Sequence, residues 1–149
     1  MLDVVDRKIL TRLQIDSQTS LSVLSENIGL SSTALHHRIQ KLKKSGVIKR
    51  FTIQIDTKKS SRELTAFVSV VKHKKSSIEI AHKLKTIPQV ESCFSVTGDV
   101  SLQAKVRFGD TQELQAILEK IQKIEGVERT FTNLIIEEHF DRGTYIGEV

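Results

Sequence analysis

The chain has 149 residues, with 23 Lys or Arg against 18 Asp or Glu, 38% hydrophobic residues and one cysteine. This length suits one ordinary domain or two small ones, and one cysteine excludes an internal disulfide framework. No apolar run approaches the ~20 residues of a membrane helix and no signal-peptide core is present, so a soluble, cytoplasmic protein without a membrane partner is expected. The charge is unevenly placed: residues 1–50 hold nine bases and four acids, whereas residues 51–149 hold fourteen of each. From Gly29 to Arg50 there are six bases (Arg38, Lys41, Lys43, Lys44, Lys49 and Arg50), two histidines and no acid. An excess confined to one third of a chain points to a polyanion as the partner of that third.

Leu2, Val5, Ile9, Leu10 and Leu13 have helical spacing, which predicts a helix over about Asp3 to Gln14, with Asp3 as cap and Asp6 in its first turn. Turn chemistry follows at residues 16–19. Leu21, Leu24 and Ile28 make a second, short helix that Gly29 stops. Ser31 is a natural cap for a third helix with Leu35, Ile39 and Leu42 inward, ended by Gly46. Val47, Ile48, Phe51, Ile53 and Ile55 then read as a strand, alternating from Phe51 onward.

Three helices, the last two joined by a tight turn, and then a strand give the order of a helix-turn-helix with a wing. In that motif the second helix of the pair enters the major groove of DNA, its N-terminal residues toward base edges. The face opposite Leu35, Ile39 and Leu42 carries Ser32, Thr33, His36, His37, Gln40, Lys41 and Lys44. Hydroxyl, amide and imidazole groups can bond base edges, and Lys41, Lys44, Lys49 and Arg50 suit phosphates. The plain reading makes the lysines a solvated helix end offsetting the dipole, which leaves the absence of any acid unexplained. Adjacent His36 and His37 lack metal-ligand spacing, so no metal is expected. Arg38 borders the buried stripe, where either an ion pair or a phosphate contact would suit it.

Residues 56–61 are polar and form the expected hinge. Leu64 to Lys72 is strand-rich, and Ser76-x-x-Glu79 opens a helix with Ile80, Leu84 and Ile87 inward, ended by Pro88. Val90 to Val96 alternates with Val90, Ser92, Phe94 and Val96 on one side. A turn at Thr97-Gly98-Asp99 leads to a return strand with Leu102, Ala104 and Val106. Asp110-x-x-Glu113 opens a helix with Leu114, Ile117, Leu118 and Ile121, and Val127 to Ile136 is the final strand. Residues 87–94 recur in pattern as residues 124–131. The order is β-α-β twice, the split ferredoxin-like arrangement. Its bare sheet face, expected to carry Thr65, Phe67, Val71 and Cys93, needs a cover, and a second copy supplies it in a two-fold dimer.

Catalytic groups are sparse: Cys93 reads as a core filler, and His73, His82 and His139 are scattered surface residues. No enzyme activity and no cofactor are expected. Gly98-Asp99 admits two readings, an ordinary hairpin turn or a carboxylate that meets the amino group of a small ligand.

Several motifs together resemble the Lrp/AsnC family of prokaryotic transcription regulators. They are Leu2-Asp3-x-x-Asp6-x-x-Ile9-Leu10-x-x-Leu13-Gln14, Leu24-Ser25-x-x-Ile28-Gly29-Leu30-Ser31, Arg38-Ile39-x-x-Leu42-x-x-x-Gly46-Val47-Ile48 and Val96-x-Gly98-Asp99. The resemblance implies an α+β protein: an N-terminal winged helix-turn-helix (1–50), a hinge strand and linker (51–62), and a C-terminal ferredoxin-like β-α-β-β-α-β sandwich domain (63–149) that senses an effector and oligomerises. It further implies homodimers assembling to tetramers, octamers or larger, a nucleoid-associated location, and an amino-acid effector between dimers near the Gly98-Asp99 hairpin, with Ser101 beside it. The family hairpin usually runs Gly-Asp-x-Asp, so Ser101 replaces a carboxylate and puts the usual amino-acid response in doubt. Ala34 and His36-His37 also depart from relatives, and the operator cannot be borrowed. The expectation is a sequence-specific regulator; the alternatives are an architectural DNA binder without effector response and, on the same two-part frame, a sirohaem decarboxylase, for which no tetrapyrrole site is apparent.

Overall fold

The structure is a computed structural model that describes residues 2–141 and 143–147. It divides into two compact units, one of Met1–Gln54 with Phe140–Val149 and one of Ile55–His139. The division 1–50, 51–62 and 63–149 expected from sequence thus differs at the far end, where residues after His139 join the first unit.

In the first unit, α1 (Val4–Ile15) starts at Asp3, whose carboxylate accepts the Asp6 N–H at 2.7 Å while Asp6 reaches back to the Asp3 N–H, closing a capping box. Ser20 caps α2 (Leu21–Ile28), and Gly29 closes it in the left-handed region at φ 76°, where a side chain would be strained. Ser31 caps α3 (Ser32–Lys44). Ile9, Leu10, Leu24, Leu35, Ile39 and Leu42 form the core, with Ile28, Ile48 and Ile146 among the half-buried residues packed on it.

The expected wing strand is corrected. Residues 47–56 form no strand, and Phe51, Ile53 and Ile55 are 48, 75 and 63% exposed. Alternation supplies the side-chain pattern of a strand, but backbone N–H and C=O groups need a neighbouring strand, and this segment pairs with none among the described residues.

The second unit is a sheet with two helices on one face: β1 (Leu64–Lys72), α4 (Ser77–Leu84), β2 (Val90–Ser95), β3 (Leu102–Phe108), α5 (Thr111–Gln122) and β4 (Val127–Leu134). The strand order is β2-β3-β1-β4 with every neighbour antiparallel, so the two β-α-β halves interleave as expected. Ala66, Val68, Val70, Leu102, Ala104, Val106 and Phe108 face Ile80, Leu84, Ile87, Ile117 and Ile121 in the core. Phe67, Val71, Phe94, Lys105, Arg107 and Phe131 occupy the opposite face by register.

Two sequence expectations fail locally. Val90 pairs with Val106 and Ser92 with Lys105, so Glu91 is an extra residue, and this bulge reverses the strand's phase. Val90 and Cys93 therefore both pack on the core, and Cys93 is not on the bare face. Its burial pushes the thiol pKa up, which keeps it protonated. The final strand stops at Leu134, although the Ile135 N–H still donates to the Thr65 carbonyl at 2.8 Å. Among the described residues no helix is long and apolar enough to cross a membrane.

Candidate nucleic-acid interface and the hairpin at Gly98

At 100° per residue, Thr33, His37, Gln40 and Lys44 lie within about 60° of one line directly opposite Leu35, Ile39 and Leu42. His36 and Lys41 flank that line. Thr33, His36, His37, Lys41, Lys44, Lys49 and Arg50 are all exposed, and Gln40 is half-buried. Ser32, although exposed, sits at the start of α3 on the side nearer Leu35 and Ile39 than the outward line, so the sequence expectation that places it on the outward face is corrected. Its hydroxyl shares a 3.2 Å hydrogen bond with that of buried Ser25. Ser25 donates its own proton to the Ser22 carbonyl at 2.8 Å, so Ser32 helps hold the turn between α2 and α3. Lys43, omitted from the expected contact set, is exposed at the side of the same helix.

The ion pairing decides the electrostatics. Arg38 is held by Asp3 at 2.6 Å and Asp6 at 2.8 Å. Asp3, then Asp6, raise the guanidinium pKa, and Asp3 is itself held below the usual carboxylate range by the Asp6 N–H and Arg38. The choice left open for Arg38 therefore resolves to an ion pair joining α3 to the start of α1. Among the described residues Lys41, Lys43, Lys44, Lys49 and Arg50 pair with no acid. A field of unpaired cations on one helix and the segment after it attracts phosphates, and the hydroxyl, imidazole and amide of Thr33, His37 and Gln40 suit base edges.

The hairpin between β2 and β3 turns at Gly98, φ 106°, with the Val96 N–H donating to the Ser101 carbonyl at 3.2 Å. The Ser101 N–H donates to the Val70 carbonyl at 2.9 Å, which fixes the hairpin on the end of β1. Asp99 is exposed at the tip. A separate cleft of about 440 Å³, unmarked by any sequence motif, lies where β1 ends and β4 begins. His73, Lys74, Lys75 and Glu125 to Glu128 line it, and none of Gly98, Asp99 or Ser101 does. Gly126, at φ 94°, has no room for a side chain, since a Cβ would fall 2.5 Å from that of Lys75.

Comparisons with known proteins agree with both halves. Residues 2–43 match the AsnC-type helix-turn-helix domain, and residues 65–145 match the Lrp/AsnC ligand binding domain. The HTH-type transcriptional regulator FL11 of Pyrococcus horikoshii is 38% identical over 93% of this chain and 91% of its own length. That of Pyrococcus furiosus is 36% identical over 93% and 92%. Among solved structures, the feast or famine regulatory protein of M. tuberculosis complexed with L-methionine superposes with a TM-score of 0.92 at 28% identity, covering 99% of this chain and 100% of that one. An AsnC family transcriptional regulator from Agrobacterium tumefaciens gives 0.88 at 27%, over 96% and 95%. With a DNA-binding head and a ligand-binding sheet in this order, the chain is a transcriptional regulator rather than an enzyme, and it belongs to the Lrp/AsnC family.

Proposed function

We propose that the protein is a sequence-specific regulator whose α3 enters the major groove with Thr33, His37 and Gln40 toward bases, His36 and Ser32 at the edge of that contact, and Lys41, Lys44, Lys49 and Arg50 on phosphates. The acid-free, unpaired basic field around an outward polar line carries this reading. A homodimer formed through the bare sheet face and the alternating segment 51–55 presents two such helices to half-sites about 34–36 Å apart, and such dimers assemble into tetramers, octamers or larger. The working location is the cytoplasm, on the nucleoid.

A small, amino-acid-like effector meets Gly98, Asp99 and Ser101 at an interface between dimers. The M. tuberculosis neighbour with bound L-methionine supports an amino acid as ligand class. Asp99 offers one carboxylate to an ammonium, and Ser101 offers only a hydroxyl where a second carboxylate would stand.

A fluorescence titration on DNA selected from random sequence tests the reading. Gln40→Ala should cost about 1–3 kcal/mol on the selected site and relax its sequence preference. Lys44→Ala should weaken all DNA alike and reduce the salt slope by about 1. Unchanged affinity for both variants sinks the assignment. Continuous protection in a footprint, rather than discrete half-sites, would favour the architectural alternative, for which the missing carboxylate at Ser101 speaks.

A further inference from the structure

The segment that follows β4 ends on α1. Gln14 Nε2 donates to the Thr144 carbonyl at 2.9 Å, and the Arg7 guanidinium donates to the Ile146 carbonyl. Arg7 and Gln14 are seven residues apart, two turns along one side of the helix. The later carbonyl lies nearer the start of α1, so the segment runs antiparallel to it. Ile146 packs beside the core of the head with Leu2, Val5 and Leu13, while Tyr145 points outward, 79% exposed. Gly147, at φ 90°, lies so close to Arg7 that a Cβ would fall 2.5 Å from the guanidinium. Of the two large side chains in residues 143–147, Tyr145 and Ile146, only the isoleucine is seated.

We propose that Gly143–Gly147 is a releasable strap, a peptide ligand carried by the chain itself, which completes the core of the DNA-binding unit. Its grip consists of two side-chain hydrogen bonds and one half-buried isoleucine, with no backbone-to-backbone hydrogen bond to the head among the described residues. That places it at the low end of local stability, free to leave while α1 to α3 stay folded. The head gains stability from it, because among the described residues its core holds six buried residues against twelve in the sensor, and bodies this small are marginal. The strap is also continuous with β4. The DNA-binding unit is therefore joined to the sensor sheet by two chain segments, the linker before β1 and this one after β4. Seating and release of the strap give the sensor a second covalent route to the helices that touch DNA.

Hydrogen exchange on the full chain tests this, with Ile146→Asp removing the apolar anchor and Arg7→Met/Gln14→Leu removing the hydrogen bonds. Both variants should exchange the amides of α1 faster, roughly tenfold for Ile146→Asp, with β1 and β3 unchanged. A synthetic peptide of residues 140–147 at millimolar concentration should restore slow exchange to Ile146→Asp. Unchanged α1 exchange in both variants overturns the proposal. So does acceleration that extends equally into β1 and β3, or a peptide that restores nothing.

Discussion

The two units treat charge in opposite ways. In the sensor, residues 55–139, 13 bases stand against 12 acids, and several meet: Arg62 with Glu113, Lys75 with Glu125, Lys105 with Glu138, and Arg107 with Glu91. In the head both ion pairs among the described residues converge on Arg38, and they lie at the start of α1, away from the outward line of α3. Exposed pairs add little stability wherever they are placed, so the difference concerns partners. Charges that meet inside one molecule have little field left for another. The head keeps the lysines of α3 unpaired, and its Asp3 and Asp6 are taken up by the α1 cap and by Arg38. A surface with that sorting costs self-repulsion, which the head balances with a thin core, three capped helices and the segment from beyond β4.

The largest effects should come from the unequal cores. Leu35→Ala removes a fully buried side chain from a core of six buried residues. Truncations of this kind cost about 2–5 kcal/mol, comparable with the whole stability of so small a unit. DNA binding should vanish while the β1 and β3 amides stay protected. Ile121→Ala, equally buried in the core of twelve, should lower the melting temperature of the sensor and leave it folded. A single transition that moves equally in both variants would show that the two units are one cooperative body.

A smaller effect is expected where the linker enters the sensor. At Gly109 a Cβ would fall 2.7 Å from the Ser61 carbonyl oxygen. Backbone has no rotamer to escape with, so Gly109→Val should cost about 1–3 kcal/mol and loosen residues 61–63 in hydrogen exchange. The melting of the head should not move. If it does, the linker carries more of the head's stability than the strap leaves room for.

Much of this architecture was legible in sequence because it rests on local chemistry. Asp3, Ser31 and Ser76 each stand before an apolar period and each caps a helix. Leu35, Ile39 and Leu42 point inward on period alone, which leaves the outward line opposite them. What escaped depends on partners distant in sequence. One extra residue at Glu91 leaves no trace in composition, yet it turns Cys93 to the core face. Phe51, Ile53 and Ile55 have the pattern of a strand without a neighbour to pair with among the described residues. Ile146 belongs to no apolar period, so nothing in the sequence marks it as a core residue. Asp110-x-x-Glu113 reads as a reciprocal cap, and half of it is. Asp110 accepts the Glu113 N–H at 2.8 Å, but the Glu113 carboxylate turns to Gly109, Gln89 and Arg62 instead.

That diversion gives the sensor the smallest of the expected effects, in acid. The Gln89 amide, then the Gly109 N–H and Arg62 hold the Glu113 carboxyl at about 2, below its ordinary 4.5. The folded sensor therefore binds fewer protons here than the unfolded chain. The stabilisation is complete above the unfolded pKa and is lost as pH falls from about 4.5 toward 2. Glu79, whose pKa is lowered by the Ser76 N–H and hydroxyl, adds to the same acid slope. Glu113→Gln should lower stability near neutrality, because Arg62 loses its partner, and should flatten part of the acid slope while Glu79 retains the rest. Urea unfolding followed at several pH values between 3 and 7 measures both. In the head, the Asp3 carboxyl is lowered by the Asp6 N–H and Arg38, so Glu113→Gln should leave the acid response of α1 untouched. An undiminished slope in the sensor would mean that the knot of Gln89, Gly109 and Arg62 does not hold in solution, and the linker would then lose its anchor on α5.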